Sequence, residues 1–588
     1  MSTAPLVSVI MANLNGAAHI AAAVRSVLNQ RLADLELIIA DDGSSDDSLA
    51  RAKEAAAGDA RLIVIESSAQ RTGPAAARNR ALAVARGEWI AVVDNDDLIH
   101  ADRLAQLLKH AMNDGADIVA DDLLVFYDDG AARAHAYLNW DAPRWISAAA
   151  YERSNRALNA GPSLGYLKPV FKRSLGAIYD ESLRIGEDSH LILRLLLNGA
   201  RMRVYPGPGY FYRKHAASIS HRLSAPPLDA LIAAYDQLDG GKDAALGLAL
   251  AEQRAALKDA RAFVDLVDAL KAKNIGAAMA TTLKRPAATL LLRDAVKARL
   301  LPKPRRITRQ GPRITLLSRQ RIVRATNGSS AYVLAMSAAL KEAGYKVDYI
   351  GVSPKIFGRW AVLRLGPELA AFDRYIVHGG VRIGNFVLAR NPRVWLASGL
   401  AVFEQGLSKL GLSSGRSKTA EYAQGASATP ADQIFTARNA APDAAAVLCD
   451  YAYLAPMAPY ALTQAPCAII MHDLISARVA NAKEALTQKV TQMSADEEFA
   501  LLGMGDAVLS IQAEEGRRVA AALPSRRVLA TPHAASAVTS PQPGEDDTLL
   551  FVGSDTAPNI VGLKWFFETV WPLVRAARPQ ARLKVAGS

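Results

Sequence analysis

Cysteine is nearly absent: Cys449 and Cys467 are the only two in 588 residues. Both lie in apolar surroundings without ligand spacing. That excludes a disulfide-stapled scaffold and a cysteine-held metal, and reads as buried thiols in a reducing compartment. No stretch approaches the roughly 18 uncharged apolar residues of a membrane span. The opening Met1-Ser2-Thr3-Ala4-Pro5 has neither the basic segment nor the apolar core of a signal peptide. Aromatics make up only 6% of the chain. They do not interleave with the basic residues, so the net charge of +12 comes without a nucleic-acid recognition pattern, and that partner is excluded. Gly-x-Gly-x-x-Gly and Walker loops are missing, which argues against a dehydrogenase or an NTPase. These absences predict a cytoplasmic chain, soluble or held peripherally on the inner face of the cytoplasmic membrane.

What is present is a length too great for one core, which predicts two to four domains. The first 90 residues alternate between short apolar runs and helical patterns. Val7–Met11, Leu35–Ala40, Arg61–Ile65 and Trp89–Val93 read as strands. Helical spacing follows at His19–Leu28 and Ala75–Ala85. Such alternation predicts a parallel sheet covered on both faces by helices, with its loops gathered at one edge. Two of those loops are acidic: Asp41-Asp42-Gly43-Ser44 and Asp94-Asn95-Asp96-Asp97. Three acids at a strand tip repel one another unless a hard divalent cation sits among them, completing its shell with phosphate oxygens. The bland alternative is an Asp-rich turn, or acids that merely cap the next helix.

The motifs run in a recognisable order. Val7-Ser8-Val9-Ile10-Met11-Ala12-Asn13-Leu14-Asn15, Ser26-Val27-Leu28-Asn29-Gln30 and Glu36 through Asp46 come first. Gly73-Pro74-Ala75-Ala76-Ala77-Arg78-Asn79, Gly87-Glu88-Trp89-Ile90, the Asp94–Asp97 cluster and Gly186-Glu187-Asp188 follow. Over roughly the first 220 residues this string resembles the family 2, inverting, GT-A-fold glycosyltransferases, which use nucleotide-sugar donors and whose α/β fold implies a Rossmann-like mixed sheet. The resemblance implies that Asp42 contacts the nucleotide base, that Asp94 meets the ribose and that Arg78 lies near the nucleotide. It implies Mn²⁺ or Mg²⁺ held by Asp96 and Asp94, and Asp188 as general base with Glu187 supporting it. A carboxylate at a helix start suits that role, although an ordinary helix cap would also place an acid there. The segment Tyr210 to Ser220 resembles the family's Tyr-Arg-x-His stretch, which makes His215 a metal or phosphate ligand. Ala12 and Leu14 stand where the family often has threonine and tyrosine, which changes the side chains offered to the base. The implied partners are a nucleotide-sugar donor and a saccharide or lipid-linked acceptor, in cell-surface polysaccharide or lipopolysaccharide synthesis.

Residues 1–225 are therefore assigned to a GT-A domain and 226–311 to an Ala- and Leu-rich helical extension with a basic linker. Ten cations crowd 284–313 against Asp294 alone, interleaved with Leu290–Leu292, Val296, Leu300 and Leu301. This pattern fits an amphipathic element on an anionic membrane surface. Pro302 and Pro304 favour the linker, with membrane contact kept beside it. From Ile314 a second alternating pattern begins, and the stretches from His472 and Leu549 resemble family 4-type, GT-B-fold glycosyltransferases. Residues 312–545 are read as a Rossmann-like domain and 546–588 as the incomplete start of another. The rival reading makes the chain a scaffold with a degenerate transferase fold, or a bifunctional transferase whose second module is cut short.

Overall fold

The structure, a computed structural model, describes residues 4–67, 71–127, 134–157, 161–214, 224–300, 311–409, 428–463, 465–477, 493–533, 544, 546–553 and 557–586. It forms two compact units, residues 1–309 with 429–438, and 310–428 with 439–588.

The first unit opens with β1 (Val7–Asn13), α1 (Ile20–Leu28), β2 (Leu35–Asp41), α2 (Ser48–Ala56) and β3 (Leu62–Ile65). Then come α3 (Pro74–Val84), β4 (Trp89–Val92), β5 (Leu98–Ile99), α4 (Arg103–Asp114) and β6 (Ile118–Tyr127). β7 (His135–Ala136), β8 (Arg144–Ile146), α5 (Ala148–Asn155), β9 (Val170–Lys172), α6 (Glu187–Leu197) and β10 (Met202–Lys214) complete the sheet region. The strands lie in the order β3-β2-β1-β4-β9-β6-β10-β5, with β7 beside β6 and β8 beside β10. β1 to β4 are mutually parallel, as their helical crossovers require. β9 then runs antiparallel to both β4 and β6, so the sheet is mixed. Every residue of β2 is buried, the pattern of a strand covered on both faces. The unit continues into helices α7 (Ala225–Asp236), α8 (Ala244–Lys271), α9 (Ile275–Lys284) and α10 (Ala287–Leu300), where the Ala- and Leu-rich pattern predicted them.

The second unit carries β11 (Arg313–Ser318), α11 (Gly328–Glu342), β12 (Lys346–Gly351), β13 (Val362–Arg364), β14 (Arg374–Val377), β15 (Gly380–Ile383) and β16 (Phe386–Ala389). β17 (Ala444–Asp450), β18 (Cys467–Met471), β19 (Ala507–Ser510) and β20 (Arg527–Ala530) follow. Its main sheet is all parallel, ordered β14-β12-β11-β17-β18-β19-β20. β13, β16 and β15 form a separate antiparallel sheet. Further on, β21 (Thr548–Val552) and β22 (Arg582–Ala586) pair in parallel. The two thiols meet across β17 and β18 with sulfurs 3.8 Å apart, both free. Cys449 is buried, as expected; Cys467 is only half-buried because it opens its strand.

Among the described residues no helix is long and apolar enough to cross a membrane. Of the basic stretch 284–313, residues 301–310 lie outside the described residues, and Arg285 pairs with Asp259 at 3.0 Å.

Candidate functional site

β4 ends where its buried apolar run meets Asp94-Asn95-Asp96-Asp97. Oxygens of Asp94, Asp96 and Asp97 lie within 4.8 Å of one another. The three acids nonetheless play different parts. Asp97 is buried and turned inward: it accepts from the Tyr210 hydroxyl at 2.8 Å and from the Arg213 amide at 2.7 Å. Burial, then the Asp96 and Asp94 charges, push its carboxyl well up, which favours the protonated form. Asp94 and Asp96 are half-buried and remain the pair fit to offer oxygen ligands to a hard cation.

The first turn of α6 supplies Glu187 and Asp188. The chain enters that helix through Gly186 at φ +71°, a left-handed conformation that glycine adopts without penalty. Gly186 is the N-cap, and the helix start carries no side-chain cap bond. Asp188 is therefore not a helix cap, and its acid faces other partners, favoured there by the helix dipole.

Those partners are two buried cations. Arg78 on α3 reaches Asp94 at 2.9 Å, Glu187 at 2.8 Å and Asp188 at 3.2 Å. Its guanidinium lies 5.5 Å from the centre of the Tyr179 ring. Lys168, just ahead of β9, reaches Asp94 at 2.7 Å and Asp188 at 3.0 Å. The strand-end acids and the helix-start acids, far apart in the chain, thus form one cluster knitted by an arginine and a lysine. The electrostatics follow. Burial raises the Asp94 carboxyl, but Lys168 and then Arg78 outweigh it and hold the group well below the carboxylate range. Burial likewise works against ionised Asp188, and Arg78 with Lys168 overcomes it, so Asp188 stays lowered and ionised. Glu187 goes the other way: burial and the neighbouring Asp188 charge raise it in spite of Arg78. Two adjacent carboxyls driven apart in this fashion are suited to different roles.

Asp42 sits at the end of β2, where its oxygens accept from the Thr72 amide at 2.9 Å, the Thr72 hydroxyl at 2.5 Å and the Gly73 amide at 2.7 Å. Burial opposes its ionised form, and these bonds more than compensate, leaving it lowered. Asp41 caps its own turn through Ser44 and holds Asn13. Neither acid caps α2. His215 lies outside the described residues.

Lys168 is the residue that sequence reasoning missed. Its only signal is a cation inside the apolar run Leu167-Lys168-Pro169-Val170-Phe171. A second missed layer fixes it: buried Arg103 donates to the Lys168 carbonyl at 2.5 Å while gripping Asp121 through two nitrogens at 2.8–3.1 Å. Gly209 must be glycine there, since a Cβ would fall 2.4 Å from an Asp121 oxygen.

In the second unit Asp450 and His472 lie at the carboxyl ends of β17 and β18, in the sheet region where the strand order reverses around β11. Asp450 is fully buried and receives Ser318 at 2.6 Å, Gln320 at 2.8 Å and the His472 Nε2 at 2.7 Å.

Residues 8–175 match the family described as glycosyl transferase family 2. The succinoglycan biosynthesis protein ExoO of Rhizobium meliloti (strain 1021) is 35% identical over 292 residues, 48% of this chain and 83% of that protein. ExoU, a succinoglycan biosynthesis protein of the same organism, is 39% identical over 227 residues, 37% of this chain and 65% of its own length. The chain belongs to glycosyl transferase family 2. It is a glycosyltransferase, with that family's domain in the first unit.

Proposed function

We propose that the first unit transfers a sugar, with inversion, from a nucleotide-diphosphate donor to a saccharide or lipid-linked acceptor in cell-surface polysaccharide synthesis. The observation that carries this reading is the meeting of the β4 acids with the α6 acids over Arg78 and Lys168. Two relatives named for succinoglycan biosynthesis support the pathway class.

Asp94 and Asp96 would hold Mn²⁺ or Mg²⁺, since these half-buried carboxylates lie close enough together to offer oxygen ligands to such a hard ion. Bound there, the ion would neutralise charge developing on the leaving diphosphate. Asp188, kept ionised by its two cations, takes the proton of the acceptor hydroxyl as that oxygen attacks the anomeric carbon. The bond to the diphosphate breaks on the opposite side, and the nucleoside diphosphate departs. Glu187, raised and joined to Arg78, supports the base and keeps the guanidinium in place. Asp42 contributes by strapping the Thr72–Gly73 segment beside the nucleotide site.

For the remaining chain we assign 226–311 to a helical extension and linker, 312–545 to a GT-B-type Rossmann-like domain and 546–588 to the start of a second. The all-parallel sheet β14-β12-β11-β17-β18-β19-β20 and the pairing of β21 with β22 support that division. Metal-dependent release of nucleoside diphosphate from a panel of nucleotide sugars, with acceptor present and absent, tests the function. Turnover indifferent to chelation of divalent cations would remove the metal from it, and no turnover with any donor would leave a binding role.

A further inference from the structure

Both oxygens of Asp94 already carry a cation: Arg78 on Oδ1 at 2.9 Å and Lys168 on Oδ2 at 2.7 Å. The same lysine holds Asp188 Oδ2 at 3.0 Å. Its side chain is 9% exposed, so water screens these contacts little. Its backbone is locked by the buried Arg103–Asp121 pair, which fixes where the ammonium can reach. Free lysines are flexible point charges, and burying one costs dearly unless carboxylates surround it. Here the surroundings are one acid from the metal side of the site and one from the base side.

We propose that Lys168 is a positioning residue that couples the two halves of the site. Its ammonium is an internal counter-ion on Asp94 that competes with the divalent cation, and its second contact keeps the Asp188 carboxylate aimed. The inference rests on the metal and base roles proposed above and goes beyond them in giving one side chain opposite effects on two measurable quantities. Like charges sharing a carboxylate repel, so the lysine weakens metal binding. A base that loses its anchor loses alignment with the acceptor hydroxyl, so the lysine also speeds transfer. A residue with a merely structural role would lower both together.

The test is Mn²⁺ affinity by titration calorimetry on the full chain without nucleotide, alongside donor turnover, for wild type, Lys168→Met and Lys168→Arg. Lys168→Met should bind Mn²⁺ about tenfold or more tightly, because a neighbouring positive charge is gone. Its transfer rate at saturating donor should fall about 10²-fold through lost alignment. Lys168→Arg, which keeps the charge, should retain wild-type Mn²⁺ affinity and recover part of the rate. If Lys168→Met does not fold, Lys168→Gln carries the Mn²⁺ comparison, since it removes the charge, while an amide that still bridges the two carboxylates should keep part of the transfer rate. Equal or weaker Mn²⁺ binding in the neutral variant overturns this proposal while leaving the metal reading intact. Absence of Mn²⁺ binding in every protein, wild type included, overturns the metal reading and this coupling with it.

Discussion

Each unit places an aspartate at the carboxyl end of a buried parallel strand, and the two aspartates lead opposite lives. Asp94 in the first unit is half-exposed, and what it meets are charges: Arg78 and Lys168, each shared with an acid of α6. Asp450 in the second is sealed, with Ser318, Gln320 and His472 all donating to it. An acid at a strand end is thus not in itself a site. The partners decide. Donors that close round a buried carboxylate turn it into a structural joint, whereas cations shared with other acids leave a carboxylate charged at a half-open position.

The sharpest way to break this contrast is at the base. Asp188→Asn should lower sugar transfer about 10²–10⁴-fold while keeping donor binding. Asp450→Asn in the same chain should leave that transfer unchanged. Full turnover in Asp188→Asn with a dead Glu187→Gln would exchange the two roles. Next, Asp96→Ala should abolish metal-dependent nucleotide binding with an unaltered circular dichroism spectrum, because removing one of several repelling acids does not weaken the sheet. Wild-type nucleotide affinity in that variant would dissolve the metal clamp.

The second unit gives the next effect. Asp450→Asn turns one acceptor oxygen into a donor facing donors, which should cost about 3 kcal/mol or more of stability. A lower urea midpoint in the transition of that unit measures it.

The smallest effect comes from a buried acid of the first unit that has few partners. Glu152 on α5 meets only the Tyr235 hydroxyl, at 3.4 Å, and its other oxygen is unpartnered among the described residues. Burial pushes its carboxyl up to about 7. The folded state therefore binds a proton that the unfolded state releases between the ordinary glutamate range and about 7. Stability should fall as pH rises through that window, by about 3 kcal/mol at most, and stay level above it. Glu152→Gln should flatten this slope in thermal melts at pH 5 to 8. A wild-type melt that does not change over that range would mean the carboxyl is hydrated in solution.

Much of the first unit was legible because local patterns and tertiary fold agree there. The runs predicted at Val7, Leu35, Arg61 and Trp89 are β1 to β4, and the apolar period placed α1 and α3 to within a residue or two at their ends. The turn of β9 against β4 was not legible, since Val170–Lys172 is three residues long and direction along a strand leaves no mark on composition. Nor was Lys168, which owes its meaning to acids that lie far from it in the chain.

What the sequence determined by itself is the alternation of apolar runs and helical spacing, and with it a sheet whose acidic loops must share one edge. It determined too which residues are acids, and that Glu187 and Asp188 open a helix after a glycine able to turn into it. Only the tertiary structure decided which acids are charged and which are spent. That depends on the buried cations and donors brought within about 3 Å, where the low dielectric makes each contact count. Such neighbours come from α3, from β10 and from the segment ahead of β9; motifs marked Arg78 and the Tyr210 stretch, but no local pattern announces Lys168 or says which acids each cation meets.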